Sequence, residues 1–206
     1  MYVILSGKEA VVIDPNINEE LPKLFGRRGI NHVYILLTHE HYDHTSGVVW
    51  LEKQIDTTVF CQRNCADTIA TERGNNPALV AMVLADKDKR DGGNRYRDFR
   101  KDFIPYSIKV DKVFADEDTF KIGELPFYAI STPGHCPGSV CYELLNQLIF
   151  TGDTLLKDIP VVTRLPESDA IIYNKVTKPY LQRLSKDTII MPGHGDPFIL
   201  KDTNNI

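Results

Sequence analysis

The stretch His39-Glu40-His41-Tyr42-Asp43-His44 follows almost directly on the run Val33-Tyr34-Ile35-Leu36-Leu37, and the junction between them decides how the chain is read. A continuous apolar run of this length indicates a buried central strand. The hexapeptide after it concentrates three of the chain's six histidines beside one aspartate. A lone histidine near a core is more often a satisfied structural residue. Three with a carboxylate just past a strand, where a loop can turn them toward one point, favour metal binding. The zincin pattern HExxH is missing, because Asp43 stands where its second histidine would be.

Two further histidines occur in matched settings, Pro133-Gly134-His135 and Pro192-Gly193-His194, each after a predicted strand. In both, Pro ends the strand and Gly allows a tight turn that points the next side chain into a cleft. Asp153 in Thr151-Gly152-Asp153-Thr154 repeats the arrangement with a carboxylate. His39, His41, Asp43, His44, His135, Asp153 and His194 are therefore the candidate metal ligands. Seven exceed the four that one tetrahedral zinc takes, so the count implies two ions, with a shared carboxylate as the natural bridge. Two metals about 3.5–4 Å apart hold a bridging hydroxide and polarise the group it attacks, which is hydrolytic chemistry. Zinc is the first expectation, and iron or manganese suits the same nitrogen and oxygen donors.

The chain has 206 residues, enough for one good core, and is read as one domain over 1–206. Hydrophobic residues at 42% and charged residues at 25% match ordinary globular proteins. No apolar run approaches the roughly 20 residues of a membrane span, and Met1 to Ser6 lacks the basic flank of a signal peptide. A cytoplasmic location without membrane association is the expectation. The net charge of −4 argues against a nucleic-acid partner. Cys61, Cys65, Cys136 and Cys141 lie outside the CxxC spacing of structural zinc sites and read as reduced, buried thiols. Cys136, directly after a candidate ligand, is the one marked as oxidation-prone.

Short β-branched runs alternate with helical patterns, which indicates an α/β or mixed layered architecture. Tyr2 to Leu5 and Ala10 to Ile13 read as a hairpin, and Asn18 to Arg28 as a helix stopped by Gly29. Thr45 to Gln54 and Asn64 to Arg73 have helical spacing. Gly74 to Asp111 reads as a partly helical insertion. Its segment Asp86 to Asp102 carries seven basic and five acidic residues, so it is either a solvated surface excursion or a lid over the site. Strands follow at Lys112 to Ala115, Thr119 to Ile122, Phe127 to Ser131, Ser139 to Leu145, Leu148 to Thr151 and Thr188 to Met191. Ser168 to Ser185 is helical between the last two. Glu40 is read as solvent-facing or capping, and His32 as a surface residue.

The order HxHxDH, PGH, GD, PGHG resembles the metallo-β-lactamase superfamily, in particular its glyoxalase II-like metallohydrolases, from Asp14 to Gly195. The resemblance implies an α+β fold, a four-layer αββα sandwich with the metals at one edge between the sheets. It further implies that His39, His41 and His135 bind one ion, that Asp43, His44 and His194 bind the other, that Asp153 bridges, and that Asp14 supports the site. Three departures stand out. The family's leading strand is shortened or absent, leaving a sheet edge that a second subunit can cover to make a homodimer. About a dozen residues follow His194, too few for the helical domain with which glyoxalase II grips glutathione. Thr163-Arg164 replaces the family's Gly-Arg pair, with Arg164 expected to face the cleft. The implied activity is hydrolysis of a small ester, thioester, lactone or amide, with Asp43 the catalytic residue that orients the hydroxide and relays its proton. The alternatives are an iron-dependent oxidoreductase of the same fold, similar to the persulfide dioxygenases, and a phosphodiesterase or nuclease.

Overall fold

Alternation along the strands assigns their faces, and the sheets follow from it. In the computed structural model, which describes residues 1–75 and 77–206, β1 (Tyr2–Ser6) and β2 (Glu9–Ile13) form the expected antiparallel hairpin. Parallel pairing then adds β3 (His32–Leu36), β4 (Thr57–Gln62) and β5 (Lys112–Phe114) in chain order. The second sheet holds β6 (Glu117–Ile122), β7 (Leu125–Ser131), β8 (Val140–Leu144) and β9 (Leu148–Gly152) as antiparallel neighbours. Beside β9 lies β10 (Ile189–Pro192), parallel to it, and β11 (Phe198–Ile199) closes the edge.

Successive residues of one strand enter different cores. Val11, Ile13 and Leu36 meet Phe127, Tyr142 and Phe150 of the other sheet in a core between the two. Ala10, Val12, Val33 and Ile35 point the opposite way, against Leu21 and Phe25 of α1 (Glu20–Arg28) and against Val48 and Leu51 of a short helix described below. On the outer face of the second sheet, Cys141, Ile149 and Ile190 pack against Tyr173, Tyr180 and Leu181. Three apolar layers thus separate four structural ones, the αββα sandwich. No helix of the described residues is long and apolar enough to cross a membrane.

Several elements differ from the sequence reading. The helix expected over Thr45 to Gln54 is two, α2 (Tyr42–Thr45) and α3 (Val48–Glu52), so Asp43 and His44 sit on a helix and not in a loop. Next, α4 (Arg63–Ile69) stops four residues before Arg73. The insertion folds into α5 (Ala78–Asp91) and α6 (Arg95–Asp102). The stretch read as one helix over Ser168 to Ser185 runs as α7 (Ala170–Ile172), a π-helical turn Tyr173–Thr177, and α8 (Lys178–Arg183).

Strand direction gathers the candidate ligands. β2 and β3 run parallel, and β7, β9 and β10 share one direction because β8 is antiparallel to both its neighbours. Asp14, the His39 to His44 segment, His135, Asp153 and His194 each follow the carboxyl end of one of these strands.

Candidate metal centre

The structure brings all seven candidate side chains together at one end of the sandwich. His41 Nδ1 lies 3.1 Å from both His39 Nε2 and His135 Nε2. His44 Nε2 lies 3.5 Å from Asp153 Oδ1 and 3.7 Å from Asp43 Oδ2, and His194 Nε2 lies 3.1 Å from Asp43 Oδ2 and 3.5 Å from Asp153 Oδ2. His135 Nε2 reaches Asp153 Oδ2 at 3.7 Å, so the aspartate stands between both groups. The closest donor sets, with ligand atoms within 4.8 Å of one another, are His39 with His41, His135 and Cys136, then His39 with His44 and Asp153, and Asp43 with His44 and His194.

Three of the rings are aimed by what holds the other nitrogen. The Asp14 carboxylate accepts from Thr38 N–H at 2.7 Å and Thr38 Oγ1 at 2.6 Å, and from His44 Nδ1 at 2.8 Å. Thr38 Oγ1, having donated to Asp14, is left to accept from His39 Nδ1 at 3.1 Å. His135 Nδ1 donates to the Val162 carbonyl at 2.9 Å. When the rings are neutral, as a bound cation requires, these bonds keep their protons on the outward nitrogens and leave lone pairs on the inward nitrogens of His39, His44 and His135. His44 Nε2 and Asp153 Oδ1 are buried without any hydrogen-bond partner. Orphaned buried acceptors and converging lone pairs are costly unless a cation lies among them, so this nitrogen and oxygen set fits divalent metal ions.

Electrostatics without a cation show the same tension. Burial pushes the His39 imidazolium well below its ordinary range and that of His41 down to about 4, neighbouring histidines adding to both. Burial also opposes charge on His44, but Asp14, Asp153 and Asp43 outweigh it and raise its pKa to about 9. Burial works against the Asp43 carboxylate too, yet the His194 hydrogen bond and the charges of His44 and His194 hold it well below the usual range.

Two glycines make the approach possible. Gly134 has φ 137°, and a Cβ there would run into Tyr173 on the π-helical turn. That turn also supplies Thr177 Oγ1 to the Pro133 carbonyl at 2.6 Å, while Ser168 Oγ donates to the His135 carbonyl at 2.6 Å, so the loop carrying His135 is backed from outside. At Gly193 a Cβ would overlap Asp153 Oδ1 and sit 2.7 Å from His44 Cε1.

A cavity of about 510 Å³ opens beside the cluster. His41, Tyr42 and Asp43 form its floor, Asp67, Thr68 and Thr71 one wall, and Arg73, Gly74, Pro77, Ala78 and Val80 another. The start of the insertion therefore borders the site, and Tyr42 makes edge contacts with Phe99 of α6 and with Phe103 just after it. Sequence reasoning missed the α4 wall, because Asp67, Thr68 and Thr71 carry no pattern of their own. Glu40 is a correction: it is buried, 3% exposed, where a solvent-facing or capping role was expected, and burial pushes its carboxyl up to about 7. Arg164 is a second, since it is exposed and borders a separate hollow formed by Ile159 to Thr163. His32 is half-buried, not free on the surface, its nitrogens bonded to Asp56 at 2.7 Å and Thr58 at 2.9 Å.

Comparison with known proteins identifies the family. The Metallo-beta-lactamase superfamily profile matches residues 1–194. The chain is 23% identical over 201 residues to the probable metallo-hydrolase YqgX of Bacillus subtilis, covering 94% of this chain and 83% of that one. Among solved structures, the B3 metallo-beta-lactamase BLEG-1 superposes with a TM-score of 0.74 at 26% identity, covering 97% of this chain and 88% of the other. TTHA1623, solved in a di-iron-bound form, superposes with a TM-score of 0.70 at 25% identity, covering 98% and 89%. With the profile matched along nearly the whole chain and the fold shared from end to end, the protein belongs to the metallo-β-lactamase superfamily.

Proposed function

We propose that the chain is a metal-dependent hydrolase of a small ester, thioester, lactone or amide, with a chemistry similar to that of glyoxalase II-type hydrolases. The observation that carries this reading is the convergence of five imidazoles and two carboxylates beside a cavity of small-molecule size. His39, His41 and His135 would hold one ion, Asp43, His44 and His194 the other, and Asp153 would face both. Two divalent ions bound there would lower the pKa of water toward neutrality and polarise a carbonyl. Asp43 is the residue placed to handle the proton: its side chain is 38% exposed, it borders the cavity, and its Oδ2 is within reach of His194. A carboxylate held ionised in that position orients an attacking water and passes its proton to the leaving group. The start of the insertion, as a wall beside His41 and Asp43, would act as a lid that selects the substrate.

A second reading, an iron-dependent oxidoreductase, is favoured by one observation, the di-iron form of TTHA1623. One assay series separates the two. Metal-stripped protein is reloaded with zinc, manganese or iron and tested on thioesters, lactones, β-lactams and phosphodiesters, with oxygen uptake recorded in parallel. Hydrolysis of one acyl class supports the proposal, turnover of phosphodiesters alone moves the activity to a nuclease-like class, and oxygen consumption with iron alone refutes the hydrolase.

A further inference from the structure

The two sheets each bring part of the three-imidazole set, His39 and His41 after β3 and His135 after β7, so something must fix the two loops against each other. Two side-chain contacts do this. Glu40, between the two histidines, reaches across to the other loop, and its Oε1 accepts from Gly138 N–H at 3.1 Å. The fit is close: a Cβ on Gly138 would collide with Glu40 Oε2 and with the Cys65 backbone. In the return direction, Cys136 Sγ lies 3.1 Å from His41 Nε2. A backbone bond extends the seam, Val140 N–H donating to the Thr38 carbonyl at 2.8 Å, while Cys136 N–H donates to Ser139 Oγ at 3.1 Å within its own loop.

We infer that Glu40 and Cys136 form a clasp that positions the first metal site. Glu40 sets the spacing of the two loops. The Cys136 sulfur accepts the His41 Nε2 proton and so fixes the tautomer in which His41 Nδ1 faces His39 Nε2 and His135 Nε2. The inner faces of His39 and His135 are set by Thr38 and Val162; His41 has the thiol for the same task. Both are positioning residues. Oxidising the thiol would therefore remove the support of one ligand.

The inference rests on the metal-centre reading, and the test separates the two. Metal-stripped wild type, Glu40→Ala, Glu40→Gln, Cys136→Ala and Cys136→Ser are titrated with zinc against a chromogenic chelator and with cobalt followed by its visible spectrum. Circular dichroism checks that each variant is folded. Orienting partners of ligands typically contribute 10–100-fold in affinity. Glu40→Ala and Cys136→Ala should each weaken one of two ions by that factor and leave the other unchanged. Glu40→Gln, which keeps the oxygen facing Gly138, and Cys136→Ser, which keeps an acceptor, should recover most of the loss. If wild type binds two ions and both alanine variants bind them equally tightly, the clasp is overturned alone. If wild type binds none, the metal centre is overturned and the clasp with it. Should Glu40→Ala unfold, Cys136→Ala, which removes only a sulfur, decides the matter.

Discussion

Replacing Asp14 by Asn should weaken metal binding without harming the fold, and the structure shows why. Asp14 sits at φ 50°, a left-handed conformation that Asn adopts nearly as readily, so the backbone is not penalised. The amide oxygen can keep the Thr38 N–H. The amide nitrogen must then take the place of Oδ2, which now accepts from both Thr38 Oγ1 and His44 Nδ1. In the neutral His44 that metal binding requires, the amide N–H would then meet the Nδ1–H donor to donor unless that proton moves to Nε2, the nitrogen aimed at Asp43 and Asp153. Metal binding must then reverse that tautomer against a lost charge. The expected cost is 10–100-fold in affinity for one ion, or about 1.4–2.7 kcal/mol. Chelator competition on stripped protein measures it, with thermal unfolding as the control. Affinity for both ions within threefold of wild type would refute the reasoning that His44 is aimed by Asp14.

Gly193→Ala should lose an ion and its activity, since the new methyl overlaps Asp153 and crowds His44; metal content after dialysis reads this directly. Gly134→Ala combines a left-handed φ with a collision against Tyr173 and should cost about 2–4 kcal/mol of stability in urea unfolding. Phe150→Ala, which empties part of the core between the sheets, should cost about 3–5 kcal/mol by the same measurement. The pKa of His44, raised to about 9 in the absence of metal, fixes two signs. Its contribution to the stability of stripped protein is fully present below its unfolded value of about 6.5 and fades as pH climbs through 9. Metal uptake must displace that proton, so affinity should tighten about tenfold per pH unit for each proton released and level off above pH 9, as titrations at stepped pH would record.

The parts of the fold legible in sequence were those with a period or a fixed chemistry. Val33 to Leu37 announced a buried strand, and histidine and aspartate marked the side chains that the fold brings together, because few other roles demand them in that setting. Periodicity alone could not split Thr45 to Gln54, where α2 ends at Thr45, α3 begins at Val48, and a Cβ on Gly47 between them would collide with the Pro15 and Asn16 backbone. The π-helical turn at Tyr173 keeps an apolar spacing that a regular helix would also give. Strand β11 has two residues and pairs only with Ile189 and Ile190, too short to carry a pattern. Glu40 shows the deeper limit. Its neighbours in sequence are histidines, but its partner is Gly138, 98 residues away, and only the pairing of two loops from different sheets makes a buried carboxylate tolerable there.

The most direct test of the central claim is anomalous diffraction, at the metal absorption edge, from crystals of zinc-loaded protein. The account predicts two peaks about 3.5–4 Å apart, one among His39, His41 and His135, the other among Asp43, His44 and His194, with Asp153 between them. A single peak, or peaks away from these side chains, would contradict it.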